Sequence, residues 1–507
     1  MSGSGSDEAG RLRQMALERQ AAGRFEEAYQ LLRRRAMLSP EDAGAWADIA
    51  ECLTAARMPE DALKAWDAAL AVAPGDAALL GGKAGVLQGL GRAAEARSLL
   101  DKAVATAPGD AGVGLQLARL AIEAGDWDEA ARLAGGIEQG RAEGQWLKAR
   151  IALGRGHFEE AERQAAHLCA DPRLAPEPRA DALLLWAEAL DRLGQPSRAF
   201  QAASQGKLTQ RRLFADRAAG REGAVARLAR LRAELAKADR ADWAVRTEPA
   251  RAPGEPRVHA FILGFPRSGT TLLEQALAGH PDMIALEEPP TLAAPGAEFL
   301  SSPEGLERLA RLAPAQIAAW RARYFAEVRA LGPEPSGKVL VDKAPAETSS
   351  LPLIARLFPD ARILFALRDP REVVLSCFMS SFQMNALTYA FTDLGETARA
   401  YAATMTLAET CRELLPLNLT EVRHEALVED FETVLAGVAA ALGLDLHPAM
   451  INIAATARAR TVRTPSAALV RGGLTTARLG RWRAYAAELE PVLPALRPWV
   501  ERFGYAG

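Results

Sequence analysis

The chain has 507 residues, more than a single hydrophobic core normally holds, so its length predicts two or three domains. With 49% hydrophobic and 25% charged residues it has the composition of an ordinary globular protein. The formal net charge of -3 gives no overall drive towards nucleic acid or an anionic membrane, so an anion site has to be built from a local cluster of basic residues.

Neither the N-terminus nor the cysteines indicate secretion or metal binding. Residues 1–9 lack the basic segment and apolar run of a signal peptide and are predicted to be disordered. No apolar run in the chain approaches the roughly 18 residues that a membrane span needs. The four cysteines lie far apart, without the spacing of metal ligands. We therefore expect a cytoplasmic protein that binds no membrane, no nucleic acid and no metal.

A repeat of about 34 residues organises the first part of the chain. Six short turn segments each end in an alanine, and these alanines step by 34, 34, 34, 31 and 38 residues: Ala28, Ala62, Ala96, Ala130, Ala161 and Ala199. Pro40, Pro74 and Pro108 also step by 34. The pattern resembles tetratricopeptide repeats, in which helix pairs stack into a solenoid. We assign residues 10–215 to an all-α tetratricopeptide solenoid.

Such a solenoid has a concave surface, and the fold alone does not determine how that surface is used. One interpretation is that the repeats bind a peptide or protein partner. The other is that they form a packing platform, which leaves a homodimer open. The sequence does not decide between these two uses.

The pattern changes after a charged helical stretch and a linker at residues 216–256. Beyond them the 34-residue period stops, and apolar runs of strand type alternate with helical patterns; the runs are residues 258–263, 339–341, 363–367 and 419–422. Strands that alternate with helices form parallel sheets with helices packed on their faces. We therefore assign residues 257–507 to a P-loop-like α/β domain with a central parallel sheet.

The most specific motif follows the first of these strands. Residues 264–271 read Gly-Phe-Pro-Arg-Ser-Gly-Thr-Thr, between an apolar run and a helical pattern. Strand, glycine loop and helix form a phosphate cradle, because loop N–H groups and the helix dipole face the anion. A loop that binds a nucleoside triphosphate has lysine after its second glycine, whereas this chain has Thr270. The motif therefore suits a donor that lacks a γ-phosphate and needs no metal.

The motif resembles that of the sulfotransferase family, which uses 3′-phosphoadenosine-5′-phosphosulfate (PAPS) as donor. The resemblance covers roughly residues 257–505 and is nearest to tyrosylprotein sulfotransferases and to bacterial repeat-bearing sulfotransferases. It implies that the loop binds the 5′-phosphosulfate end of the donor through Pro266, Arg267, Ser268, Gly269, Thr270 and Thr271.

Further positions of the family pattern follow along the chain. Arg368, at a strand end, and Ser376, eight residues later, match residues that bind the 3′-phosphate. Arg481, before a tryptophan, matches a basic nucleotide-binding residue that is lysine in the family. Where the family often has a tyrosine near the nucleotide, this chain has His424. That histidine either contacts the nucleotide or is a buried structural residue.

The resemblance also implies which residues carry out the transfer. Glu288, the second residue of a Glu-Glu pair, matches the catalytic base, with Glu287 as the alternative. Lys343 matches a lysine at the oxygen that bridges phosphate and sulfate, and Arg267 and Ser466 are expected to stabilise the leaving phosphate with it. The implied reaction is in-line transfer of a sulfuryl group to an acceptor hydroxyl.

The acceptor and two rival functions stay open. The acceptor is a protein or peptide tyrosine presented with help from the repeats, or a hydroxyl of a carbohydrate or small molecule. A divergent P-loop kinase or nucleotidase would have only Lys343 and Asp342 to bridge phosphates and hold magnesium. In a third interpretation the repeats act as a protein-binding scaffold beside an inactive P-loop-like domain.

Overall fold

The computed structural model describes residues 3–56, 58–136, 142–244, 254–302, 304–453, 456, 476 and 479–505. The chain forms two compact units, Met1–His157 and Phe158–Gly507. No helix within the described ranges is both long enough and apolar enough to cross a lipid bilayer.

The first unit consists of helices, and the first eight of them pack as consecutive pairs. They are α1 (Gly3–Ala21), α2 (Phe25–Leu38), α3 (Ala43–Ala55), α4 (Pro59–Val72), α5 (Ala77–Gly89), α6 (Ala93–Thr106), α7 (Ala111–Ala124), α8 (Trp127–Gly135) and α9 (Ala142–Gly154). The first four repeat alanines, Ala28, Ala62, Ala96 and Ala130, are completely buried. The 34-residue period therefore marks positions where helices approach so closely that a methyl group fills the gap. The predicted all-α repeat architecture is confirmed.

The same period recurs in the helix caps. Asp42, Asp76 and Asp110 each lie two residues after a repeat proline, and their carboxylates accept hydrogen bonds from backbone N–H groups at the start of α3, α5 and α7. Such a cap satisfies a donor that the helix itself leaves unpaired. Each proline and aspartate together therefore end one helix pair and begin the next.

The second unit opens with five more helices: α10 (Phe158–Ala170), α11 (Pro176–Arg192), α12 (Pro196–Ala218), α13 (Ala224–Leu235) and α14 (Arg240–Trp243). Leu184 and Leu190 of α11 and Ala199 of α12 belong to the same buried cluster as Phe261 in the first strand of the sheet. The helices that the sequence assigns to the last repeats, where the alanine steps become 31 and 38, thus pack into the core of the α/β unit.

Five parallel strands form the sheet in the order β2-β3-β1-β4-β5. They are β1 (Val258–Gly264), β2 (Met283–Glu287), β3 (Val339–Lys343), β4 (Arg362–Leu367) and β5 (Asn418–Arg423). The helices between and after them are α15 (Thr270–Leu277), α16 (Ala293–Phe299), α17 (Gly305–Ala310), α18 (Pro314–Ala330), α19 (Leu351–Leu357), α20 (Pro370–Met379), α21 (Ala386–Ala390), α22 (Leu394–Leu414), α23 (His424–Glu429), α24 (Phe431–Ala441), α25 (Pro448–Ile451), α26 (Ala486–Leu489) and α27 (Leu493–Arg502). Short 3₁₀ helices span Pro345–Ser350, Arg481–Tyr485 and Glu490–Val492.

Both faces of the sheet are covered, as expected for parallel strands. Phe261 and Leu263 of β1 belong to one buried cluster, whereas Ala260 and Ile262 belong to another, because successive side chains point to opposite faces. The predicted parallel α/β domain is confirmed, with β2 as an additional strand. That strand lies at an edge of the sheet and is only partly buried.

Candidate active site

The sequence-predicted residues converge on the carboxyl edge of the sheet. Neighbouring strands β1 and β4 lead into connections that leave in opposite directions, one towards β2 and the other towards β5. In open α/β sheets, ligands bind in the crevice at such a switch point. The loop after β1, Arg368 after β4 and His424 after β5 all lie at this edge. Lys343 and Glu288 lie at the ends of β3 and β2.

The loop after β1 has a backbone that requires glycine at two positions. Gly264 and Gly269 have φ values of 146° and 92°. A Cβ on Gly264 would lie 2.6 Å from the carbonyl oxygen of Ala366, and one on Gly269 would lie 2.4 Å from His424 Nδ1. Helix α15 starts directly after Gly269, so the loop and the helix N-terminus form the cradle that the motif predicts. Pro266, Ser268, Thr270 and Thr271 are buried in this segment.

Three predicted donor-binding residues meet beside this loop. Arg267 Nε donates a hydrogen bond to Ser376 Oγ over 3.0 Å. Arg368 Nη1 donates to the carbonyl oxygen of Arg267 over 3.2 Å. The residues come from two strand ends and from α20, so only the tertiary fold brings them together. They form what we call the arginine cluster: Arg267, Arg368 and Ser376.

Arg368 is separated from the carboxylate that follows it in sequence. Asp369 instead forms an ion pair with Arg371, and the distance from Arg371 Nη2 to Asp369 Oδ2 is 2.8 Å. The Glu372 carboxylate approaches Arg368, with Oε1 at 3.7 Å from Arg368 Nη2. Within the described part of the chain, Arg368 Nε is buried without a hydrogen-bond partner. A buried donor without a protein partner is costly unless something else satisfies it.

His424 is packed against the loop and is neutral. Burial, together with the nearby charges of Arg368 and Arg267, lowers the pKa of His424 to about 3. Its Nδ1 has no hydrogen-bond partner among the residues that the structure describes. The imidazole therefore lies beside the glycine loop with one unsatisfied ring nitrogen.

A second group, which we call the lysine cluster, comprises Lys343, Glu274, Glu287 and Glu288. Lys343 is completely buried, and its Nζ lies 2.7 Å from Glu288 Oε1, 3.7 Å from Glu274 Oε2 and 3.8 Å from Glu287 Oε1. Burial alone would lower the pKa of Lys343, but the three carboxylates outweigh it and raise that pKa above its ordinary value. Lys343 is therefore a permanent ammonium at neutral pH.

The two glutamates after β2 differ in exposure. The Glu288 side chain is 45% exposed, whereas that of Glu287 is 11% exposed. Glu288 also has a φ of 50°, which is uncommon for a residue with a side chain. Its N–H donates to the carbonyl oxygen of Lys343 over 2.9 Å, which holds this backbone in place. The turn thus presents the Glu288 carboxylate towards solvent while it remains paired with Lys343.

Asp342 faces the other side of the sheet from Lys343. Its Oδ2 accepts hydrogen bonds from Thr291 Oγ1 and Tyr324 OH, both at 2.7 Å. Burial raises the pKa of Asp342 to about 6. This carboxylate therefore has a structural role. Its hydrogen bond with Thr291 holds the segment that follows Glu288 in place.

Arg481 makes a contact that the sequence does not predict. Its Nε lies 2.9 Å from Oδ1 of Asp191, in helix α11. Asp191, Glu274 and Thr291 carry no motif that would identify them from sequence, because each acts through a neighbour that is distant in the chain. Ser466 lies outside the described residues.

The fold and these two clusters define a P-loop-like α/β domain with basic side chains at the carboxyl edge of its sheet, in a chain that also carries helical repeats. Residues 260–448 match the model of the sulfotransferase family, and residues 20–85 and 87–139 match a tetratricopeptide repeat model. The chain therefore combines tetratricopeptide repeats with a domain of the sulfotransferase family.

Two curated proteins illustrate the similarity. The chain is 29% identical over 234 residues to nodulation protein NoeE of Sinorhizobium fredii, covering 41% of this chain and 54% of that protein. It is 38% identical over 122 residues to protein-tyrosine sulfotransferase 1 of Mus musculus, covering 23% of this chain and 32% of that protein. The chain thus spans about a third to a half of the length of these relatives.

Among solved structures, the sulfotransferase domain of the Synechococcus PCC 7002 olefin synthase is 26% identical to this chain. The match covers 47% of this chain and 90% of that domain, with a TM-score of 0.33.

Proposed function

We propose that the protein transfers a sulfuryl group from PAPS to an acceptor hydroxyl. The observation that carries this proposal is the pairing of Glu288 with Lys343, 2.7 Å apart, on the same sheet edge as the glycine loop. A carboxylate beside an ammonium at an anion cradle supplies a base for the acceptor and a cation for the leaving group.

The arginine cluster and the loop fit a donor with two separate phosphate-bearing ends. The loop and the N-terminus of α15 offer one anion site, and Arg368 with Ser376 offers a second. Arg267 connects the two, since its side chain contacts Ser376 and its carbonyl contacts Arg368. The unsatisfied Arg368 Nε and His424 Nδ1 are the polar atoms expected where a ligand completes the hydrogen bonding. We assign both residues to donor binding.

The lysine cluster is proposed to carry out the transfer. PAPS supplies the activated sulfuryl group when it is bound. Glu288 accepts the proton of the acceptor hydroxyl as the acceptor oxygen bonds to sulfur. Lys343, which stays charged at neutral pH, stabilises the negative charge on the phosphate oxygen as its bond to sulfur breaks. Arg267 and Ser466 are assigned to the same leaving oxygen on the basis of the family resemblance.

For the acceptor we favour a tyrosine of a protein or peptide, presented with help from the repeats. The support is the 122-residue stretch that is 38% identical to a protein-tyrosine sulfotransferase, together with the repeat model match. A hydroxyl of a carbohydrate or small molecule is the alternative. Use of the repeats for a partner or for a homodimer, and a cytoplasmic location, stay predictions.

The test combines transfer with binding. The full chain is incubated with sulfur-labelled PAPS and one of three acceptors: a tyrosine peptide, the same peptide with phenylalanine at that position, or a sugar mixture. We expect label in the tyrosine peptide alone, and calorimetry should show tighter binding of adenosine 3′,5′-bisphosphate than of ATP. Label in the sugars would move the acceptor to the alternative. No transfer together with no binding of the bisphosphate would overturn the enzyme and favour the scaffold, whereas preference for ATP would favour a kinase.

A further inference from the structure

Helix α11 contacts the segment that carries Arg481 through a largely buried carboxylate. Asp191 lies next to the C-terminal end of α11, and its Oδ1 accepts hydrogen bonds from Arg481 Nε over 2.9 Å and from Tyr485 OH over 2.6 Å. The two partners lie 290 and 294 residues further along the chain. The Asp191 side chain is 10% exposed and that of Arg481 is 17% exposed, so this is a largely desolvated ion pair.

The segment that carries Arg481 is anchored to helix α20, the helix of Ser376. The backbone N–H of Trp482 donates to Glu372 Oε2 over 3.0 Å, and the Trp482 ring lies 3.7 Å from the guanidinium carbon of Arg371. Glu372 in turn approaches Arg368 Nη2 at 3.7 Å. Glu372 interacts electrostatically with both Arg368 and Arg481, so it connects Arg481 to the arginine cluster on the side of α20.

The contact fixes a direction as well as a position. A guanidinium presents five N–H groups in one rigid plane, so binding Nε to Asp191 sets the orientation of the others. A largely buried ion pair contributes little net stability compared with apolar residues of the same size, because both charges lose their hydration. A charged pair at this position is therefore better explained by the direction it gives to Arg481 than by packing.

We infer that Asp191 is a positioning residue that orients Arg481 towards the 3′-phosphate of the donor. The helix pair α11–α12, which the repeat period assigns to the tetratricopeptide region, would then form one wall of the donor site. This inference rests on the proposed function, and it adds to that function a role for a residue more than sixty positions before the sulfotransferase-family match begins.

The experiment uses two nucleotides that differ only in the 3′-phosphate. Calorimetry measures the affinity of the full chain for adenosine 3′,5′-bisphosphate and for adenosine 5′-monophosphate, with Asp191→Asn, Asp191→Glu and Arg481→Ala variants. Ser197→Ala is the matched control, because Ser197 of α12 contacts Glu488 in the same C-terminal region but outside the cluster. We expect Asp191→Asn to weaken bisphosphate binding about tenfold, with unchanged binding of the monophosphate and partial rescue by Asp191→Glu.

The double variant of Asp191→Asn with Arg481→Ala should bind the bisphosphate no more weakly than Arg481→Ala alone, since Asp191 acts through Arg481. An equal loss for both nucleotides, or additive losses in the double variant, would show that Asp191 serves only the fold. If Asp191→Asn does not fold, the same comparison is made with Asp191→Glu and with Tyr485→Phe. The latter removes the hydrogen bond from Tyr485 to the same Oδ1 of Asp191. A wild-type chain that does not distinguish the two nucleotides would instead count against the proposed function.

Discussion

The carboxyl edge of the sheet holds two basic clusters that differ in their surroundings. In the lysine cluster one buried ammonium faces three carboxylates within 3.8 Å. In the arginine cluster two guanidinium groups contact a hydroxyl and a carbonyl, and the Glu372 carboxylate lies 3.7 Å from Arg368. In the lysine cluster the carboxylates outnumber the ammonium, whereas the arginine cluster as defined above contains two guanidinium groups and no acidic side chain, which suits a multiply charged anion. We therefore propose that proton transfer and donor binding are separated along the edge, and three variants test that separation.

The largest effect is expected at Glu288. Glu288→Gln keeps the shape of the side chain but removes the base, so kcat should fall about a thousandfold, with little change in donor affinity. Steady-state kinetics with labelled PAPS measure both. Glu287→Gln is the matched control, because Glu287 faces the same lysine from a less exposed position. If Glu287→Gln loses more activity than Glu288→Gln, the base is Glu287.

Replacing the lysine should have the next largest effect. Lys343→Ala removes the cation at the leaving oxygen and should lower kcat about a hundredfold. It should also lower the Tm, because the completely buried Glu274 loses a cation 3.7 Å away. Lys343→Arg should restore part of the kcat and part of the Tm. Lys338→Ala is the control, because Lys338 is exposed just before the same strand, and it should change neither kcat nor Tm. Full activity in Lys343→Ala would remove the lysine cluster from the chemistry.

Arg368→Ala should affect binding more than chemistry. Loss of a guanidinium from an anion site should weaken adenosine 3′,5′-bisphosphate binding about tenfold or somewhat more, while kcat at saturating donor changes by much less. Calorimetry and kinetics on the same preparation compare the two. A fall in kcat as large as the loss of affinity would mean that the two clusters do not work separately.

The smallest effect is expected at Asp342, which lies on the face of β3 opposite to Lys343, and it concerns stability. Burial raises the pKa of Asp342 to about 6, above the roughly 3.9 of an unfolded chain. The folded protein therefore binds this proton more tightly, so the contribution of Asp342 to stability is full below about pH 4 and is lost as pH rises through about 6. Asp342→Asn stays neutral, and its Tm relative to wild type should rise by roughly a few degrees between pH 4 and 7. If the Tm of wild type and of Asp342→Asn changed in parallel with pH, the prediction would be contradicted.

The fold was predictable where a local pattern repeats. Ala28, Ala62, Ala96 and Ala130 recur every 34 residues because the same close helix contact is made in each helix pair. Each repeat therefore shows the same buried alanine in its sequence. Strand β2 was missed although residues 283–286 are all apolar, because periodicity cannot tell such a short apolar run from a segment of a buried helix. A periodic pattern also shows how successive helices pair with each other, but it does not show which other parts of the chain those helices pack against. The packing of α11 and α12 into the α/β core therefore could not be read from the sequence.

The site was predictable to the extent that its residues end strands. Glu288, Lys343, Arg368 and His424 follow parallel strands, whose carboxyl ends necessarily share one edge. Glu274 lies inside a helix, and Asp191 lies in a different part of the chain, so only tertiary packing brings them to Lys343 and Arg481.

The left-handed backbone at Glu288 has a consequence for how such a chain changes over time. A side-chain-bearing residue held there costs about 1 kcal/mol that glycine would avoid. Glu288→Gly would relax that backbone while discarding the carboxylate that we propose as the base, so selection for stability and selection for the proposed reaction oppose each other at this position. In a lineage that no longer needs the reaction, Glu288 is among the first residues of the site that we would expect to drift.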